Sequence, residues 1–282
     1  MSSGEGALLA IADLHVEHAE NRRLVEAIEP TSERDWLIVA GDVADSPDGV
    51  EWALRILRER FAQTIWVPGN HELLAQRDDP PELRGESRYR HLVELCRGLG
   101  VLTPEDPYPV WEGPCGPVRV VPLFLLYDYS FGSNVAPTPE RALELAREAG
   151  IVCVDEFLLD PSPFPSRQAW CEARVLDAER RLDEVEPPLP AVLVNHHPLL
   201  PDPTRVLLYP EFAQWCGTTR TADWHKRFRA TAAVYGHLHV PRTTWHDGVR
   251  FEEVSLGYPR ERARWPHRPR SPRQILPEPR RA

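Results

Sequence analysis

Five short apolar runs in this chain each stop at a cluster of carboxylate, amide or imidazole groups. That repetition constrains the fold more than any other feature of the sequence. The clearest run covers residues 36–40 and halts at Gly41-Asp42, with Asp45 three positions on. The others end at Asp13-Leu14-His15, at Gly69-Asn70-His71-Glu72, at Asn195-His196-His197 and at Gly236-His237-Leu238-His239. A short apolar run closed by glycine or a polar residue reads as a buried strand. Open α/β sheets place their ligands beyond the carboxyl ends of such strands. The pattern therefore predicts one site fed by several strand ends, with Asp42 at its centre.

Between the first three runs the spacing turns helical. Leu24, Ala27 and Ile28 share a face over 20–29. Val50, Ala53, Leu54 and Leu57 do so in a helix that Asp45 or Ser46 could cap, with Pro47 in its first turn. Strands over 7–12, 36–40 and 64–67 then predict a parallel β-α-β-α-β start. A further helix over 87–99 closes at Gly100. Later the pattern changes to hairpins: 108–111 with 118–125, and 242–246 with 249–255 across Asp247-Gly248. Helices are expected over 139–149, 166–185 and 221–229, and buried strands over 191–194 and 231–235. We read one domain over 1–258, with 127–190 as a partly inserted, decorating region. The tail over 259–282 carries eight Arg and two Glu, a composition that favours disorder or a docked arm over a packed element.

Composition narrows the function. A net charge of −10 argues against a nucleic-acid binder, whose affinity for phosphates comes from clustered Lys and Arg. The five cysteines form no C-x-x-C pair and follow no secretory signal, so reduced thiols in a cytoplasmic protein are expected. No apolar stretch reaches membrane-spanning length.

The clusters themselves carry the chemistry. Residues i and i+2 of a strand point the same way, so Asp13 and His15 can reach one ion, as can His237 and His239. Mixed carboxylate, imidazole and amide donors suit Mn, Fe or Zn rather than Ca. A metal pair about 3.5–4 Å apart can hold a nucleophilic hydroxide and clamp the attacking and leaving oxygens of a phosphoryl displacement.

D-x-H, G-D-x-x-D, G-N-H-E, H and G-H-x-H, in that order and each after an expected strand, resemble the calcineurin-like metallophosphoesterase superfamily from about residue 7 to 239. The resemblance implies a four-layer α/β/β/α sandwich with two mixed sheets and the metal site at strand carboxyl ends. It implies that Asp13, His15, Asp42 and His239 bind a first transition metal, and Asp42, Asn70, His196 and His237 a second. Asp42 would bridge the pair opposite a hydroxide. His71 would not be a ligand: it would hydrogen-bond the phosphoryl group and protonate the leaving oxygen. Asp45 would orient a histidine or its loop, or else cap the next helix.

Other residues take plainer readings. Of the adjacent His196 and His197 only one ring should face the metals, and the following Pro198 favours His196. Glu72 reads as structural, Tyr127 and Tyr129 as a packed aromatic pair, and Arg205 and Arg220 as solvated. The reaction expected is hydrolysis of a small phosphorylated substrate, a monoester or a diester, in the cytoplasm. The alternatives are a nuclease, which the acidic balance disfavours, and a non-catalytic metal-binding regulatory protein, which would lack ligands that are all present here. Specificity is expected in the loops 76–85, 127–165 and 199–219, which carry no readable signature.

Overall fold

In the computed structural model, which describes residues 6–76, 79–114, 116–265, 267 and 270–279, side chains along the central strands alternate between two packing partners. The strands are β1 (Leu8–Ile11), β2 (Trp36–Val39), β3 (Gln63–Trp66), β4 (Val110–Gly113), β5 (Gly116–Pro122), β6 (Ala191–Val194), β7 (Ala230–Tyr235), β8 (Arg242–His246), β9 (Val249–Glu253) and β10 (Arg273–Leu276). The helices are α1 (Ala19–Glu26), α2 (Pro47–Arg60), α3 (Gly85–Leu99), α4 (Pro139–Glu148), α5 (Asp155–Leu158), α6 (Arg167–Glu184), α7 (Trp224–Arg227) and α8 (Pro259–Arg264).

The strands form a four-stranded sheet, β10-β1-β2-β3, and a six-stranded sheet, β4-β5-β6-β7-β9-β8. Both are parallel at their centres and antiparallel at edges: β10 on β1, β4 on β5 and β8 on β9. Leu8, Ala10, Ile38 and Ile65 of one sheet share a core with Val120, Val192, Val194 and Val234 of the other. The alternate positions Leu9, Leu37, Val39 and Trp66 pack with Val50, Leu54, Leu57 and Tyr89 of α2 and α3. On the other sheet Val121, Leu193 and Phe251 pack with Trp170, Val175 and Leu182 of α6. The result is a four-layer α/β/β/α sandwich.

Local chemistry sets the boundaries. Ser46 Oγ, not Asp45, caps α2 by accepting the Gly49 N–H at 3.1 Å. Gly100 closes α3 at φ +75°. Asp247 and Gly248 both take positive φ, the geometry a two-residue hairpin needs. The helix expected over 221–229 is instead a 3-10 turn, Thr219–Thr221, followed by the four-residue α7.

The tail departs most from expectation. Residues described within 259–279 form α8 and β10, not a disordered arm. Composition hid two local features. Gln274-Ile275-Leu276 is a strand sequence whose Ile275 and Leu276 are buried. Arg262 is also buried, donating to the Gly257 carbonyl at 2.7 Å and to Glu20 at 3.0 Å. The rest of the tail, 266, 268–269 and 280–282, lies outside the described residues. Cys96, Cys153, Cys171 and Cys216 are buried free thiols. Among the described residues, no helix is long and apolar enough to cross a membrane.

Candidate metal centre

The loops after β1, β2, β3, β6 and β7 meet at one end of the sandwich. Backbone bonds tie them together: Asp13 N–H donates to Gly41 O at 2.8 Å, His15 N–H to Asp42 O at 3.1 Å and Gly236 N–H to His196 O at 2.9 Å. Asp13, His15, Asp42, His237 and His239 all adopt left-handed φ, between 41° and 68°. Asp and His tolerate this region better than most residues, yet it costs about 1–3 kcal/mol each. Two glycines make room for the carboxylates. A Cβ on Gly69 would lie 2.0 Å from Asp42 Oδ1, and one on Gly236 2.2 Å from Asp13 Oδ2.

Two donor groups result. Asp13, His15, Asp42 and His239 each present one atom within 4.8 Å of the others, and Asp42, His196 and His237 do the same. Asp42 therefore belongs to both. Asn70 Oδ1 lies 3.2 Å from His237 Nδ1, beside the second group.

The hydrogen bonds around these groups fit a cation. His196 Nδ1 is held by the Ala40 carbonyl at 2.9 Å, which turns its Nε2 toward Asp42 Oδ2 at 3.3 Å. His239 Nδ1 is held by Glu261 Oε2 at 2.9 Å, which turns its Nε2 toward Asp13 Oδ1 at 3.0 Å and His15 Nε2 at 3.2 Å. Imidazole nitrogens and carboxylate oxygens thus converge, an arrangement that a shared positive ion stabilises. Nε2 of His196 and of His237 are buried, with no hydrogen-bond partner among the described residues.

Burial opposes a charge on His196 and His239, yet Asp42 lifts the first to about 9 and Asp13 the second well above its ordinary value, so an ion would displace a proton from each. Burial acts against the charge of Asp42, but His196, His71 and His15 outweigh it and hold the carboxyl well below its usual range. Burial pushes the His15 imidazole down to about 3 and that of His237 well below its ordinary value, so both keep a lone pair to donate. Burial opposes a charge on His71 too, yet Asp42 and Asp45 lift it to about 10.

His71 stands outside both donor groups. Its Nδ1 lies 2.7 Å from Asp45 Oδ1, and its Nε2 lies 4.0 Å from Asp42 Oδ2. The ring is partly open to solvent. A histidine anchored at one nitrogen, with the other turned into a partly open site 3.5 Å from the Tyr258 hydroxyl, can deliver a proton.

Glu72 is structural, as expected, and three further supporting residues, Asp155, Ser255 and Tyr258, escaped the sequence reading. Glu72 is buried and accepts the backbone N–H groups of Asp42, Val43 and Gly69 at 2.9–3.0 Å, so it clasps two of the loops. Asp155 accepts from Asn70 Nδ2 at 2.9 Å and so aims Asn70 Oδ1 inward. Ser255 Oγ donates to Asp13 at 2.7 Å. Tyr258 stacks on His15 at 4.3 Å, and its backbone N–H donates to Glu261 at 3.0 Å. The Pro-Arg-Glu stretch after Tyr258 was the available signal: proline at the first helical position, glutamate at the third.

The remaining expectations resolve simply. His197 packs its ring 4.5 Å from that of His237, with Nδ1 3.3 Å from the Leu125 carbonyl, outside both groups. Tyr127 and Tyr129 pack edge to face at 5.3 Å. Arg205 and Arg220 form surface ion pairs with Asp202 and Glu172.

Comparison with known proteins adds three findings. Residues 7–241 match the family model of the calcineurin-like phosphoesterases. The acyl-carrier-protein phosphodiesterase PptH of Mycobacterium tuberculosis is 53% identical over 279 residues, which span 98% of this chain and 85% of that protein. The crystal structure of phosphopantetheinyl hydrolase PptH from that organism matches with a TM-score of 0.95 and 53% identity over 99% of each chain.

Proposed function

The chain belongs to the calcineurin-like phosphoesterase family and is a phosphoric ester hydrolase; from that premise we propose that it cleaves the phosphodiester joining a phosphopantetheinyl arm to an acyl carrier protein. The observation that carries the substrate reading is the 53% identity, spread over 98% of the chain, to an acyl-carrier-protein phosphodiesterase. A protein-linked phosphodiester replaces the small free substrate expected from sequence. Water adds to phosphorus, the bond to the carrier's alcohol oxygen breaks, and that oxygen takes up a proton. The products are the apo carrier and 4′-phosphopantetheine.

In this reading Asp13, His15, Asp42 and His239 hold one metal ion, and Asp42, Asn70, His196 and His237 hold the other. Manganese, iron or zinc suits such oxygen and nitrogen donors. When bound, the pair neutralises charge on the phosphoryl oxygens and makes water a better nucleophile. The protein's own groups do the rest. Asp42 is shared between the two positions, which fixes them relative to each other. His71, with its Nδ1 held by Asp45, presents Nε2 to the phosphoryl group and gives the proton to the departing alcohol. Glu72 and Asp155 keep the loops and Asn70 in place.

The test is intact-protein mass spectrometry of holo acyl carrier protein after incubation with manganese-loaded enzyme. The carrier should lose the mass of one phosphopantetheinyl group. If holo carrier is unchanged while bis-p-nitrophenyl phosphate is turned over, the substrate reading fails and the class of reaction stands.

A further inference from the structure

A cleft of about 870 Å³ opens beside His239. One wall is the loop over 206–212 and the other is α8 with Trp265, while Leu238 and His239 lie between them. The loop wall begins at the metal centre itself, because the Phe212 ring stacks on His237 at 5.8 Å. It then runs outward through Tyr209 and Leu208, which are 55% and 77% exposed; Trp265 opposite is 55% exposed. Large apolar side chains left in water around a concave site are the usual mark of a ligand's path. On the α8 wall, the Arg260 guanidinium lies 5.0 Å over the Tyr258 ring, which in turn stacks on His15.

We propose that this cleft binds the phosphopantetheinyl arm, with its phosphate at the metal centre and its chain running between Leu208 and Trp265. The proposal rests on the carrier-protein reading above and adds to it the direction in which the substrate lies. The arm suits the walls: it is a thin chain of methyl and methylene groups interrupted by one hydroxyl and two amides and ending in a thiol, with charge only at its phosphate end. Beyond His239 the loop wall is apolar, with Leu207 and Leu208 opposite Trp265, while Arg260, Glu261 and Arg264 of α8 line the other side, where the arm's amides and hydroxyl can be met. Its volume falls in the range of about 300–1,000 Å³ that takes ligands of this size. In this placement the carrier's folded part stays outside, joined to the cleft through the scissile phosphate.

The experiment compares two inhibitors of bis-p-nitrophenyl phosphate hydrolysis, 4′-phosphopantetheine and methyl phosphate, as a ratio of inhibition constants within each variant. Using the ratio removes any change in overall activity. In the wild type, 4′-phosphopantetheine should inhibit about tenfold better or more, the effect of burying about 55 Å² of apolar surface. Leu208→Ser and Trp265→Ala should each pull that ratio toward unity. Both side chains are largely exposed, so neither change opens the core. Phe157→Ala, which alters a 74%-exposed ring outside this cleft, should leave the ratio intact. A wild-type ratio near one, or a ratio that survives both wall variants, overturns the proposal. Failure of the carrier reading looks different: the preference for 4′-phosphopantetheine persists but holo carrier is not cleaved.

Discussion

At the scale of single residues, the centre divides into groups that hold ions and groups that move protons. Asp42 belongs to both donor groups, so Asp42→Asn should lower the content of both metals, read by inductively coupled plasma mass spectrometry, and abolish turnover. His71 belongs to neither, so His71→Ala should keep its metals and slow turnover by about 10²–10⁴-fold. Metal loss in the His71 variant would contradict that division. Glu261 acts through His239. Glu261→Ala should weaken metal binding by roughly 10–100-fold in a chelator competition, with partial rescue by Glu261→Gln, whose amide oxygen still accepts. These residues differ in how legible they were. Asp13, His15 and Asp42 stand at the ends of apolar runs with a spacing that has a physical meaning. Asp155 and Ser255 do not: they meet Asn70 and Asp13 across 85 and 242 positions, contacts that only the tertiary fold creates. Glu72 sat inside a recognised motif, but nothing in its neighbours showed that a buried carboxylate would accept three backbone N–H groups.

At the scale of elements, the outer layers are pinned by polar clasps as well as by apolar packing. Glu105, in the loop after α3, receives Arg174 of α6 at 2.6 Å, Tyr89 of α3 at 2.7 Å and Arg90 of α3 at 2.9 Å. Burial works against its charge, but Arg174 and its other partners bring it down from 4.5 to about 2. A carboxyl lowered in the folded state stabilises the fold above its unfolded value and loses that contribution as the pH falls through its folded one. The clasp should therefore weaken between pH 4.5 and about 2. It contributes about 1–2 kcal/mol once screening by water is allowed for. Glu105→Gln should flatten the acid limb of a denaturant-midpoint profile over that window; an unchanged limb would place the acid sensitivity elsewhere. The elements themselves were readable where a period or a cap was strong, as in α2 after Ser46 or β6 over Ala191–Val194. They were unreadable where average composition masked a short segment. In the tail, eight arginines concealed the three residues that let β10 join a sheet.

At the scale of the whole molecule, metal binding and folding are linked, because the donor groups draw on loops from both sheets. Metal at a hundred times its dissociation constant should add about 2.7 kcal/mol. For a chain of this size that is a rise of about 4–5 °C in the calorimetric midpoint. Asp42→Asn should erase the rise, and a rise that survives would mean the ion binds elsewhere. The layered architecture was not derivable from strand patterns alone: periodicity marks a strand as buried but not which sheet it joins. One pairing carries a consequence of its own. β1 is the first strand described, and its outer edge is covered by β10, the last one described. At about 5–20 residues per second, ribosomal synthesis separates the two by roughly 13–53 seconds. For that interval the nascent chain presents an unpaired strand edge, and His239 waits for Glu261, so the centre can reach its final shape only once α8 has been made.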